Sequence, residues 1–403
     1  MSTSLSAGLP EEAQLRAQGS AKWNQFAPDV IPCWVADMDI GIPVAVRQAL
    51  ADGLAAGGYG YPLRSGKPPD RLLADVFARR MERRFGWLPD PDRTVVLSDL
   101  VQAVYAVIHA LSRPGDGIIV QTPNYPPFRA AIATTGRRMV SWEQDHGTRP
   151  AAWSVGSLDP DAVRGARILV LCNPHNPTGR VFSRSELEAI ADLALAQDLV
   201  ILADEIHADL VYPGSQHIPM ASLGPDVARR TITLQSATKS FNIAGLRCAV
   251  ANFGSDALLQ SFETALPRKL LGSVGITGID ATIAAWEQGD DWLRETLLHL
   301  EAMRDRLVAT LHDMTPQLTV DTPQGTYLSW IDCSGLQLAE PAGAFFLREA
   351  RIAPSFGETF HPAMGHFIRV NFATSQTILD EILSRMRTAL RRRAPSTGNG
   401  GVP

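Results

Sequence analysis

Lysine is almost missing from this 403-residue chain, which has four against 33 arginines. Cysteine is equally scarce: the four residues at 33, 172, 248 and 333 form no CxxC and no paired spacing. That excludes a disulfide framework, and free thiols in a reducing cytoplasm are expected. Long apolar runs are absent too. Stretches such as 199–203 fall far short of the ~20 residues that cross a bilayer. The N-terminus lacks the charged-then-apolar profile of a secretory signal. A formal net charge of −5 is small for this length and gives no basis for a nucleic-acid or membrane partner. The run Arg391–Arg393 reads as the basic end of a helix. Nine histidines show no HExxH or other metal spacing, so no metal is assigned. What remains is a cytoplasmic globular protein with chain enough for two or three domains of ~150 residues.

What is present is an alternation. Short β-branched runs at Thr94–Leu97, Ile118–Gln121, Ile168–Cys172, Val200–Ala203, Thr231–Leu234 and Cys248–Phe253 are separated by helical patterns. Most runs are apolar throughout, as strands covered on both faces are. Among the helical patterns, Ser183–Gln197 opens on Ser183 with Glu186 three residues on, a capping box. The alternation predicts an α/β domain with a mostly parallel sheet, in which ligands sit at the carboxyl ends of strands. From about 280 the pattern changes to one long helix over 280–312, strands over Gly325–Asp332 and Phe367–Phe372, and helices at 340–350 and 376–392. A large domain over 51–279 is therefore expected, with a smaller α+β domain from 1–50 and 280–393. The tail 394–403 is expected to be disordered.

Four strand ends carry polar residues that a core does not need. They are Thr122-Pro123-Asn124-Tyr125, Asn173 to Gly179, Asp204-Glu205-Ile206-His207, and Ser236-Ala237-Thr238-Lys239-Ser240 with Arg247 eight residues beyond the lysine. One of only four lysines just past a buried strand points to an amine in a polar cleft, where desolvation makes it nucleophilic. Asp204 ends an apolar strand. A Mg²⁺-holding role would need a GxxxxGK[ST] loop, and Gly60 to Lys67 has one residue too many and a proline after the lysine. The alternative is a carboxylate that pairs with the protonated ring nitrogen of pyridoxal phosphate (PLP). Lys239 would then bond to the cofactor. Ser236, Arg247 and the N–H groups of Leu100 and Val101 at a helix start would hold its phosphate. Tyr125 would stack on the ring, and Asn176 and His207 would reach its phenolic oxygen. Cys172 and Cys248 read as small core residues. Asp37 and Asp39 read either as paired acid–base carboxylates or as turn residues before Gly41 and Pro43. Trp34 and Phe356 read as core residues or as the lip of the substrate mouth.

Taken together these motifs resemble fold type I PLP enzymes, the aspartate aminotransferase superfamily. The carriers are Asn-Pro-His-Asn-Pro-Thr-Gly at 173–179 and Ser-Ala-Thr-Lys-Ser-Phe-Asn-Ile-Ala-Gly-Leu-Arg at 236–247. A tighter resemblance is to the MalY/PatB-type cystathionine β-lyases, on Trp34-Val-Ala-Asp-Met-Asp39, Tyr59-Gly-Tyr61 and Asp204 to Gly214. It implies a large domain with a mostly parallel seven-stranded sheet flanked by helices. Lys239 would be the Schiff-base lysine, Asp204 the partner of the pyridine nitrogen, and Arg369, helped by Asn176, the clamp on the substrate carboxylate. Tyr61, with Tyr59 as the alternative, would reach the phosphate of a neighbouring subunit, so the active unit would be a homodimer. The family often has glycine where this chain has Asp99, whose carboxylate is expected to turn away and cap the helix.

The implied reaction is β-elimination from cystathionine or another cysteine S-conjugate, giving a thiol, pyruvate and ammonia. An aminotransferase shares every one of these residues and remains the alternative, alongside another PLP reaction such as decarboxylation-coupled deamination in a natural-product pathway. A PLP-fold transcriptional modulator would need a DNA-binding module, and none is visible.

Overall fold

Helices cover both faces of a seven-stranded sheet, and the reason lies in the strands themselves. The computed structural model describes residues 9–64, 66–145, 150 and 152–393; the tail 394–403 lies outside them. The strands are β1 (Ile31–Cys33), β2 (Thr94–Leu97), β3 (Gly117–Thr122), β4 (Arg138–Glu143), β5 (Ala166–Cys172) and β6 (Val200–Asp204). They continue as β7 (Thr231–Gln235), β8 (Ala249–Phe253), β9 (Thr319–Val320), β10 (Leu328–Asp332), β11 (Ile352–Phe356) and β12 (Phe367–Asn371).

The large sheet runs in the order β2-β8-β7-β6-β5-β3-β4, and only β8 is antiparallel to its neighbours. The mostly parallel seven-stranded sheet is thus as expected. Alternate residues of β5 and β6 enter two different cores. Ile168, Val170, Val200 and Leu202 pack with the helix Leu100–Leu111. Leu169, Leu171, Ile201 and Ala203 pack on the opposite side with Trp142, Trp153 and the helix Arg184–Ala196. Each Val, Leu or Ile side chain removed from water contributes ~1.5–3 kcal/mol. The same period of two puts Cys172 and Asp204, which are register partners, on the face of the helix Leu100–Leu111. Both arms of the capping box at Ser183 and Glu186 form.

The second sheet, β1-β11-β12-β10-β9, joins the N-terminal strand to the C-terminal part of the chain, with β1 parallel to β11 and the other pairs antiparallel. The single long helix expected over 280–312 is two helices, Ile276–Gln288 and Asp290–Met314, broken at Gly289. A Cβ at Gly289 would sit 2.5 Å from the Ala285 carbonyl and 2.6 Å from the Phe241 ring, so close packing demands glycine there. Asp290 and Asp291 then favour a new helix start. Cys248 lies one residue before β8 and, like the other three cysteines, is buried and free.

Candidate active site

The loops after β3, β5, β6 and β7 meet at one edge of the large sheet and enclose a cavity of about 530 Å³. Leu100, Val101, Tyr125, Asn176, Asp204, His207, Lys239, Arg247 and Arg369 all line it, as the sequence predicts. Asp204 is 5 % exposed, and the N–H of Ile206 donates to its Oδ1 at 3.2 Å. Burial, with the nearby Glu205 charge, pushes its carboxyl up to about 7. A carboxylate so placed needs a cation, and the cavity supplies the space for one.

Lys239 follows β7 on a short helical turn, Ala237–Ser240. Its Nζ donates to the Ala36 carbonyl at 2.7 Å and stands 3.8 Å from Asp37 Oδ1. Burial lowers its pKa, the Asp37 charge opposes that, and Arg369 adds to it. A desolvated amine of this kind gives up its proton readily and can then act as nucleophile and base. The two acidic residues of the 37–39 segment have separate roles. Asp39 is buried, accepting from Lys22 Nζ at 2.8 Å and from Trp23 Nε1 at 2.7 Å, a structural knot. Asp37 alone reaches the cavity amine.

Arg369 sits in the middle of β12 and is 5 % exposed. Its Nη1 donates to Asn176 Oδ1 at 2.8 Å, and its Nη2 donates to the Trp34 carbonyl at 2.6 Å and to Ser355 Oγ at 3.0 Å. Burial pulls its pKa down to about 10. Among the described residues its hydrogen-bond partners include no carboxylate, and its Nε has no acceptor. A buried guanidinium without an anion is costly unless a ligand supplies one, and a planar fork suits a substrate carboxylate. Because Asn176 spends its carbonyl on Arg369, its amide N–H groups remain available to a ligand oxygen. His207 is buried with Nδ1 unpartnered, and burial lowers its pKa to about 3, so its ring is neutral.

Opposite these groups the helix Leu100–Leu111 begins. Asp99 caps it, its Oδ1 accepting from the Gln102 N–H at 2.7 Å, as anticipated, but the carboxylate does not turn away: Asp99 lines the cavity. The N–H groups of Leu100 and Val101 have no acceptor within the helix and can take an anion. The other oxygen of Asp99 pairs with Arg247 Nη2. Arg247 has φ +51°, a left-handed conformation that costs ~1–2 kcal/mol in a non-glycine residue and aims the side chain at the helix start.

Two predicted residues are not on the cavity wall. Ser236 is buried, and its hydroxyl donates to the Cys248 carbonyl at 2.6 Å; Thr238, from the same polar strand end but given no role by the sequence, lines the cavity instead. Tyr61 is fully exposed and borders a different cavity with Arg268 and Lys269; Tyr59 is also exposed. Trp34 forms part of the wall, whereas Phe356 packs against Gly343 on the helix Ala342–Glu349. Gly179, which ends the 173–179 motif, has φ +71°, and a Cβ there would lie 2.7 Å from Pro323. Among the described residues no group of three His, Cys, Asp or Glu side chains is placed to hold a metal.

An anion-binding helix start, an arginine beside it, a desolvated lysine and a buried acid across the cavity form a donor set that fits PLP. The model of aminotransferase class I and II matches residues 69–386. The chain belongs to the aminotransferase class I and II family. Its fold is the fold type I arrangement expected from the sequence. Within this family it is 32% identical over 385 residues to cystathionine beta-lyase of Corynebacterium glutamicum, a match covering 95% of this chain and 100% of that one. The solved structure of OvoB aligns with a TM-score of 0.85 and 36% identity, covering 94% of this chain and 96% of that one. The PLP-bound C-S lyase of Staphylococcus hominis aligns with a TM-score of 0.86 and 26% identity, covering 96% and 100%.

Proposed function

We propose that this protein is a PLP-dependent carbon–sulfur β-lyase whose substrate is a cysteine S-conjugate. The observation that carries the reading is that three groups line one cavity: the Lys239 amine, the buried Asp204 carboxylate and the Arg369 guanidinium, which has no carboxylate partner among the described residues. The likeness in length and sequence to a cystathionine β-lyase favours elimination over amino transfer.

When bound, PLP supplies an electron sink for the charge left on the substrate's Cα. The remaining work falls to the chain. Arg369 and Asn176 take the substrate carboxylate and fix the orientation of the Cα–H bond. Lys239 Nζ removes the Cα proton, a general-base step of the kind worth ~10²–10⁴-fold. Asp204 holds a proton on the ring nitrogen. The Cβ–S bond then breaks, its electron pair leaves on sulfur, and water completes the products: one thiol, one pyruvate and one ammonium per amino acid consumed.

The active unit is a homodimer in this proposal, with Tyr61 of the partner subunit reaching the phosphate. Supporting it are large apolar side chains left exposed in the segment around Tyr61, namely Leu54, Tyr59, Tyr61 and Leu63. The division into domains at 51–279 and at 1–50 with 280–393 belongs to the proposal. So does a cytoplasmic location, consistent with four buried free thiols.

Incubation of the PLP-loaded protein with cystathionine or an S-alkyl cysteine tests the reading. Thiol and pyruvate in equal amounts, with no oxoacid added, is the expected result. A 2-oxoacid that forms only with an acceptor oxoacid, and without thiol, would mean an aminotransferase.

A further inference from the structure

The helix start that would receive the cofactor's phosphate already has an anion. Asp99 contributes one carboxylate oxygen to the Gln102 N–H and the other to Arg247, the cation nearest that helix start. The cap is reinforced on its outer side. Gln102 Oε1 accepts from the Ser98 N–H at 3.0 Å and from Ser98 Oγ at 2.8 Å, while its Nε2 donates to the Leu271 carbonyl at 3.0 Å. Asp99 therefore cannot swing away without breaking the cap. Any phosphate on the N–H groups of Leu100 and Val101 must share Arg247 with it.

The charge count follows. Asp99 and Arg247 sum to zero, so at the helix start itself only the dipole and the free N–H groups favour a phosphate. Replacing Asp99 by a neutral residue would raise the sum to +1. The attraction between Asp99 and Arg247 is present before and after the cofactor binds and largely cancels. The repulsion between Asp99 and the phosphate exists only afterwards, and it doubles when a phosphate monoanion becomes a dianion.

We propose that Asp99 is a built-in competitor of the cofactor's phosphate, which makes PLP retention weaker and makes it fall as the phosphate loses its last proton. The role is one of positioning and charge, not of catalysis, and it rests on PLP being the cofactor. The other ionisable groups lining the cavity are Tyr125, Cys172, Asp204, His207, Lys239 and Arg369, with Asp37 3.8 Å from the Lys239 amine. They are common to the native protein and an Asp99 variant, so their titrations cancel in a ratio.

The test is the dissociation constant of PLP, read from the visible absorbance of the holoenzyme through a dilution series at pH 5.5 and pH 8. Asp99→Asn retains a good helix cap without the charge. It should bind PLP about threefold more tightly than the native protein at pH 5.5 and about tenfold more tightly at pH 8, after solvent screening. Pyridoxal, which lacks the phosphate, should bind both equally. Asp99→Ser, a second uncharged cap, should follow Asp99→Asn. Equal or weaker PLP binding in these variants, a ratio that does not grow with pH, or a matching change for pyridoxal would overturn the inference. A native protein without any cofactor absorbance would overturn the PLP reading itself, a result readily told apart from the others.

Discussion

Lys239 Nζ donates a 2.7 Å hydrogen bond to the carbonyl of Ala36, an oxygen that also accepts from the Tyr327 hydroxyl at 2.9 Å. The Lys239 amine is thereby one of the pins that hold the N-terminal segment over the cavity. Arg369 pins the Trp34 carbonyl, Asn371 those of Val35 and Asp37, and Asn242 those of Met38 and Ile40. Side chains of β12 and of the segment after β7 thus hold the backbone that roofs the site.

Loss of the amine should remove both its covalent and its proton-transfer roles. In Lys239→Ala, turnover should fall at least ~10³-fold, the upper part of the range for a positioned general base. The checks are pyruvate release and retention of a native melting temperature. Pyruvate formed at the native rate would contradict the assigned role.

Arg369→Ala should act chiefly on substrate capture. Two hydrogen bonds to a charged group are worth ~1.5–3 kcal/mol each, so kcat/KM should drop by ~10²–10⁴-fold. Most of the loss should appear in KM, with a smaller fall in kcat because the same side chain pins Trp34. Steady-state kinetics with an S-alkyl cysteine separate the two.

Asp204 gives a stability prediction with a definite sign. Burial holds its carboxyl at about 7 in the folded chain, against about 4 when unfolded. Between those values the folded state keeps a proton that the unfolded state has released, so this group's contribution to stability declines as pH rises from about 4 to about 7. Asparagine carries no such term. Cofactor-free Asp204→Asn should therefore gain on the cofactor-free native protein by ~2–3 kcal/mol between pH 5 and pH 8 in urea unfolding. With PLP bound the order should reverse, since the native carboxylate then faces a cation.

Tyr61 tests the dimer. If its hydroxyl reaches the partner's phosphate, Tyr61→Phe should weaken PLP binding by ~10-fold, the value of one hydrogen bond to a charged group. The variant should remain dimeric in sedimentation. Leu270→Glu, at an exposed apolar position next to the Arg268 and Lys269 that share a cavity with Tyr61, should instead shift the protein towards monomer and lose PLP with it.

Much of the site was legible because its residues break the pattern around them. Lys239 and Asp204 are polar groups set at the ends of wholly apolar strands, and the period of two decides which face Asp204 takes. The misses have physical causes. β4 is an edge strand whose exposure alternates, so Arg138–Glu143 lacks the apolar run that marks the interior strands. Ser236 is expected at the phosphate from its place beside Lys239 and from the family resemblance, but its hydroxyl donates to the carbonyl of Cys248, which immediately precedes the neighbouring strand β8. The break at Gly289 depends on contact with Phe241, and the separation of Asp37 from Asp39 depends on Lys22 and Trp23. Contacts between residues so far apart leave no local signal.

The central claim is a covalent one: the nitrogen of Lys239 bonds to the aldehyde carbon of PLP. Borohydride reduction of the purified yellow protein, followed by peptide mass mapping, tests it directly. The account predicts a phosphopyridoxyl group on the peptide containing residue 239 and on none of the other three lysines. An unmodified Lys239, or a label on Lys22, Lys67 or Lys269, would contradict it.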